Sequence, residues 1–259
     1  MVKKLPGILL IVFVTILIID LYVYSGLFWL IESLNIQLLK SLCSVFYWLI
    51  PLFFAATFGI SINKFIHSRS PLMYSSLFRY VGLFILFYIP KITFVFFLLI
   101  QDIFTLIYAG VVTIFNFDNT PVYNGFRNSI FNFISESALL LSVLIFLIIS
   151  YGITFGRFNF KVRRIILPFK TLPDAFDGFR IIHISDLHAG SMGRLQHKIM
   201  KAIRLINDEK PDLILFTGDM VNDFAEELDG WEEVLTGLKA TYGKFSILGN
   251  HDYGEYYPW

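Results

Sequence analysis

FRIIHISDLHAGS (residues 179–191), LILFTGDMVND (213–223) and FSILGNHDYG (245–254) share one pattern. Each is a short apolar run followed at once by a turn rich in Asp, Asn, His and Gly. β-branched and aromatic runs bounded by such punctuation read as strands. Between them, residues 195–207 place Ile199, Ile203, Leu205 and Ile206 at helical spacing, with Lys and Arg interleaved. Residues 224–238 read as an acidic amphipathic helix with Leu228, Trp231, Val234 and Leu238 on one face. The order β-α-β-α-β predicts an α/β sheet with right-handed crossovers. In such sheets ligands gather beyond the carboxyl ends of the strands. The first strand ends in Asp186-Leu187-His188, the second in Gly218-Asp219 with Asn222 close behind, and the third in Gly249-Asn250-His251-Asp252.

Any one of these turns has an ordinary structural explanation. Asp186 could cap a helix, Asp219 could form a turn, and Asn250 could hold a left-handed backbone. All three together, in order and each at a strand end, point to one site. Carboxylate, imidazole and amide donors in such a mixture suit Mn, Fe or Zn better than Mg or Ca.

At this point the chain resembles the calcineurin-like metallophosphoesterases, whose pattern runs D-x-H, G-D, G-N-H-D/E, a later His, and G-H-x-H. The stretches YGITFGRFNFKVRR, LPDAFDGFRIIHISDLHAGS and GKFSILGNHDYG look like a bacterial, membrane-anchored branch of that family. The resemblance implies that Asp186 and His188 hold a first divalent ion, that Asp219 bridges two, and that Asn250 ligates the second. It makes His251 the catalytic residue beside the phosphate, with Asn222 or Asp252 orienting its imidazole. No His follows His251, so the later His and G-H-x-H are missing. The chain is accordingly expected to be a C-terminally truncated fragment, carrying the first half of the hydrolase domain, that binds metal poorly and turns over little.

Upstream the composition changes. The 259 residues are 56% hydrophobic and 16% charged, with 29 Phe; soluble domains carry about a quarter charged residues. Residues 1–156 hold four runs approaching the ~20 apolar residues that cross a bilayer, at 6–24, 42–60, 91–112 and 138–155. Pro90 and Lys91 interrupt a longer apolar run, so the third span is expected to start near Lys91, with residues 73–89 lying along the interface; two half-spans meeting at Pro90 are the alternative. Lys3 and Lys4 precede an apolar run with no small-x-small cleavage site, which reads as a retained span. Asp20 and Asp102 fall in or near spans and are read as solvated at headgroup level, the alternative being a functional intramembrane site.

Lys3, Lys4, Lys64, Arg69, Arg79, Arg157, Lys161, Arg163, Arg164 and Lys170 fall on alternate loops. The positive-inside rule then puts both termini, and the hydrolase half, on the cytoplasmic side of a bacterial inner membrane. Residues 157–174 form a basic linker, read either as a lipid-binding segment or as a plain positive flank, and 175–259 form the α/β half. A net charge of +1 argues against a nucleic-acid partner, and the lone Cys43 permits no internal disulfide. The expected function is a membrane-anchored phosphoesterase acting on mono- or diesters; a substrate with a lipid tail suits the anchor, and a soluble diester is equally allowed. The alternatives are a sensor or transporter carrying a regulatory α/β module, and a non-catalytic membrane fragment.

Overall fold

The computed structural model describes residues 5–32, 36–67, 71–115, 121–192 and 195–254; Lys3, Lys4 and Arg69, three of the charges used for orientation, lie outside them. The chain divides into two compact units with the main boundary between Tyr151 and Gly152. The first unit is helical, built from α1 (Leu5–Glu32), α2 (Gln37–His67) and the parts of α3 (Pro71–Phe115) and α4 (Pro121–Thr154) that lie within residues 80–151. Four helices are long and apolar enough to cross a membrane, over Ile11–Glu32, Gln37–Thr57, Tyr80–Phe115 and Ser129–Phe158. Large apolar side chains point outward, among them Leu38, Leu106 and Leu140, each more than 70% exposed. A bundle that is apolar outside as well as inside is built for lipid.

Two expectations fail here. The third helix does not start at Lys91; α3 runs unbroken through Pro90 for 45 residues. Proline removes one hydrogen bond, but contacts on both sides of it keep the helix in line. Phe54 packs edge-on against Tyr80, Phe84, Phe87 and Tyr88, and Val23 clusters with Phe94, Leu98 and Ala138. In hydrocarbon, opening the backbone would cost more than one missing bond. Second, Asp20 is not solvated. It is fully buried, its Oδ1 2.5 Å from Lys91 Nζ. Tyr88 donates its hydroxyl to Oδ2 at 2.9 Å, and Tyr47 donates to the Asp20 carbonyl at 2.7 Å. The ammonium lies 4.8 Å and 4.7 Å from the ring centres of Tyr47 and Tyr88. Asp102 is exposed on α3 and accepts a hydrogen bond from Tyr22.

The second unit holds β1 (Ile181–Ile184), α5 (Ala189–Met192), α6 (Gln196–Asp208), β2 (Leu213–Phe216), α7 (Glu232–Thr236) and β3 (Lys244–Ser246). The sheet is parallel in the order β1-β2-β3. Ile199 and Ile203 of α6, Val234 of α7, and Trp231 and Leu238 flanking α7 form one core with Ile214, against which Ile182 and Ile184 also pack. The helices therefore cover one face and fix which residues leave the strand tips at a common edge. The expected single helix over 224–238 is instead two pieces, a 3-10 turn at Ala225–Leu228 and then α7. Gly230, at φ +80°, makes the break, and it seats Trp231 in the core at 1% exposure.

Candidate metal centre

The first and second strand-end turns are stitched together by backbone bonds that continue the sheet past its last residues. Asp186 N–H donates to the Gly218 carbonyl, His188 N–H to Asp219, and Ala189 N–H to Met220, at 3.1, 3.1 and 2.9 Å. Asp186, His188 and Asp219 all adopt left-handed backbones, at φ +56°, +46° and +57°. Non-glycine residues in that region cost energy and concentrate at functional sites. The second and third turns approach closely. A Cβ on Gly218 would meet the Gly249 backbone, and a Cβ on Gly249 would lie 2.6 Å from the Asp219 nitrogen. Only glycine allows that approach.

His188, Asp219 and His251 each offer a donor atom, and these atoms all lie within 4.8 Å of one another. The two imidazoles meet edge to face, 4.7 Å between centres. Asp219 Oδ1 also accepts the His251 N–H at 3.0 Å. Asp186 sits outside this group, its carboxylate 4.0 Å from His188 Nε2. Asn250 is exposed on the same turn as His251.

His251 Nδ1 lies 2.7 Å from the backbone oxygen of Asn222. A carbonyl only accepts, so Nδ1 carries the proton and Nε2 is the acceptor nitrogen. The Asn222 side chain is engaged elsewhere, accepting a bond from Ser191 Oγ at 3.1 Å. Asp252 instead accepts backbone N–H bonds from Asp219, Met220, Val221 and Gly249 at 2.7–3.2 Å. It clamps the second turn to the third.

Burial pushes the Asp252 carboxyl up, but the four N–H donors outweigh it and hold it below the usual carboxylate range. A lowered folded value means a contribution that is complete above the unfolded pKa, about 3.9, and lost as pH falls through the folded value. Asp252→Asn is therefore expected to destabilise the protein by roughly 2–4 kcal/mol at neutral pH, discounted for partial exposure. The gap between wild type and variant in thermal melts should close below about pH 4. An equal gap at all pH values would show that charge is not what the clamp uses.

Two residues were missed in the sequence. The Glu227 carboxylate gathers backbone N–H groups from Gly190, Asn222, Asp223 and Phe224 at 2.7–3.3 Å. An acidic residue three positions after a helix start, reaching back to free N–H groups, was the available signal. Asp223 is 6% exposed, and among the described residues its Oδ1 has no hydrogen-bond partner. Burial raises its carboxyl above the ordinary range against the pull of His251. An orphaned buried oxygen beside two imidazoles and a carboxylate is what a bound cation or its water would satisfy. The donor set thus fits a divalent metal.

Residues 5–157 match the family described as probable calcineurin-like phosphoesterase, transmembrane domain. The chain belongs to that family. Residues 179–259 match the calcineurin-like phosphoesterase domain itself, so the chain is a multi-pass membrane member of a group that uses divalent metals. It is similar to the uncharacterized metallophosphoesterase YkuE of Bacillus subtilis, 40% identical over 33% of this chain and 30% of the relative. A transmembrane protein with metallophosphoesterase domain from Danio rerio is 30% identical over 40% of this chain and 23% of its own length. The UDP-2,3-diacylglucosamine pyrophosphatase LpxG of Chlamydia trachomatis is 39% identical over 30% of this chain and 24% of its own. The chain spans about a third or less of the relatives it matches here. No solved structure matches it.

Proposed function

We propose that this chain is the membrane-anchored part of a phosphoesterase whose hydrolytic centre is assembled on Asp186, His188, Asp219, Asn250 and His251. The observation that carries the reading is the convergence of His188, Asp219 and His251 donor atoms within 4.8 Å at the sheet edge. Asp186 and His188 would hold one ion, Asn250 a second, and Asp219 both. Two ions of the Mn, Fe or Zn kind would supply positive charge against the phosphate and lower the pKa of bound water. The protein's own part is positioning. Gly218 and Gly249 let the turns close, Asp252 ties them, and Glu227 fixes the loop that carries Asn222. The Asn222 carbonyl holds His251 through its Nδ1 proton, so Nε2 is the nitrogen free to act, and giving a proton to the leaving oxygen would require the imidazolium form, protonated on both nitrogens.

The substrate class proposed is a phosphoester with a lipid tail, presented from the bilayer to a hydrolase half on the cytoplasmic face of a bacterial inner membrane. Its support is the four-helix anchor and the similarity to relatives named for a pyrophosphatase of a diacylated, nucleotide-linked sugar. The test uses the full-length protein in nanodiscs, stripped with chelator and reloaded with Mn, on an aryl phosphodiester and a lipid-tailed diphosphate. Turnover should require the metal and favour the tailed substrate; turnover by the stripped protein at the loaded rate would end the reading.

His251→Gln separates two roles. As a proton donor, His251 is worth about 10²–10⁴ in kcat with metal affinity unchanged. A loss of metal affinity of tenfold or more in the same variant would instead make it a ligand.

A further inference from the structure

The segment between the last long helix and β1 is neither helix nor strand over residues 159–169, and it belongs to the second unit. Its side chains alternate, as an extended backbone requires. Phe158 is buried, with the Lys198 ammonium 4.8 Å from its ring centre. Phe160 packs on the α/β core. Arg164 forms a two-pronged pair with Glu209, at 2.9 and 2.5 Å. Arg157 just before them, and Lys161 and Arg163 between them, are exposed. After Arg164 the alternation ends. Ile165, Ile166, Leu167 and Phe169 are then 79%, 91%, 67% and 64% exposed, with Pro168 among them and Lys170 after them. From Gly156 to Pro173 there is no acidic residue.

We propose that this strap is a bilayer-docking element: its bases engage anionic lipid headgroups while Ile165, Ile166, Leu167 and Phe169 enter the interface. These four exposed apolar side chains, within five residues, add nothing to the packing of the unit that carries them. Covalent continuity selects lipid as the occupant. The apolar stretch Ser129–Phe158 ends one residue before the extended segment begins. At no more than ~3.6 Å per residue, Ile165 stays within about 25 Å of that end. Charge complementarity selects the leaflet, because clustered bases beside a span are drawn to anionic lipid. Pinning by Phe158, Phe160 and Arg164 makes the strap part of the hydrolase unit, so docking it would hold that unit at the membrane surface. The proposal rests on the membrane anchor and not on the phosphoesterase reading.

The experiment uses the full-length protein in a Cys43→Ser background, with a fluorophore on Ile166→Cys, in nanodiscs whose lipids carry a quencher near the headgroup. Tyr242→Cys, also exposed, is the aqueous reference. In discs containing phosphatidylglycerol, lipid quenching at 166 should be at least about threefold that at 242. It should fall toward the reference in pure phosphatidylcholine and in the Lys161→Gln/Arg163→Gln/Lys170→Gln variant. It should also fall on going from about 0.1 M to about 1 M salt, which shortens the Debye length from ~10 Å to ~3 Å. The salt series keeps the test decisive if the triple variant fails to fold. Quenching at 166 equal to the reference overturns the proposal, as does quenching indifferent to lipid charge and salt. A label shielded from aqueous iodide but not reached by lipid quencher would assign the strap to a protein partner instead.

Discussion

Asp219→Asn is expected to lower divalent-metal affinity by at least about 100-fold, the upper range for losing an outer-shell partner and a floor for losing a ligand, with little change in the metal-free fold. The asymmetry follows from what the side chain does. Asparagine keeps the oxygen that accepts the His251 N–H at 3.0 Å, and it tolerates the φ of +57° found at this position. What it removes is the negative charge in the group formed with His188 and His251. Alanine would be a poorer probe, because it also breaks the bond between the second and third turns. Titration with Mn, read by calorimetry, gives the affinity; thermal melts in chelator give the fold. Equal Mn affinity in variant and wild type would remove Asp219 from the centre. A large drop in the chelated melting temperature would show that the charge serves folding instead.

The candidate site was legible because its chemistry and its punctuation coincide. Asp186, His188, Asp219, Asn250 and His251 each follow a short apolar run, and Gly218 and Gly249 mark the places where two turns must touch. The sheet follows from the same residues, since a parallel β-α repeat leaves every such turn on one edge. The supporting bonds were less visible. Glu227 reads as one more acid on a helix until its carboxylate is seen turned back on four N–H groups. Asp252 was a candidate, with Asn222, for orienting the His251 imidazole, and its carboxylate instead binds the backbone of the two turns. The break at Gly230 was missed because the apolar spacing of Leu228, Trp231, Val234 and Leu238 suits one helix as well as two pieces.

In the helical unit, local rules misled. Proline argues for a break and aspartate for the headgroups, and both arguments consider one segment at a time. Asp20 and Lys91 are 71 residues apart; neither makes sense in an apolar run without the other. Their pairing also accounts for α3 continuing past Pro90, since Tyr88 and Lys91 bind the same carboxylate from opposite sides of the proline.

That pairing has a measurable consequence. Asp20→Ala should destabilise the helical unit by about 3–5 kcal/mol, because it leaves an ammonium buried without its counter-charge. Lys91→Met, which strands the carboxylate, should cost a similar amount. The double variant Asp20→Leu/Lys91→Met should recover most of the loss, since a well-packed apolar pair of similar volume is often neutral relative to a buried ion pair. The hydroxyls of Tyr47 and Tyr88 set the limit of that recovery: each donates to Asp20 at 2.7 or 2.9 Å. Only the Tyr47 bond, made to the backbone carbonyl, survives the substitution, and an unpartnered Tyr88 hydroxyl costs about 1–3 kcal/mol. Unfolding of the full-length protein in mixed micelles provides the cycle. Additive losses in the double variant would mean that the two charges do not interact. Strong coupling with a residual deficit removed by Tyr88→Phe would assign the remainder to that hydroxyl, and would make the cluster a lock between α1 and α3 rather than a path for ions.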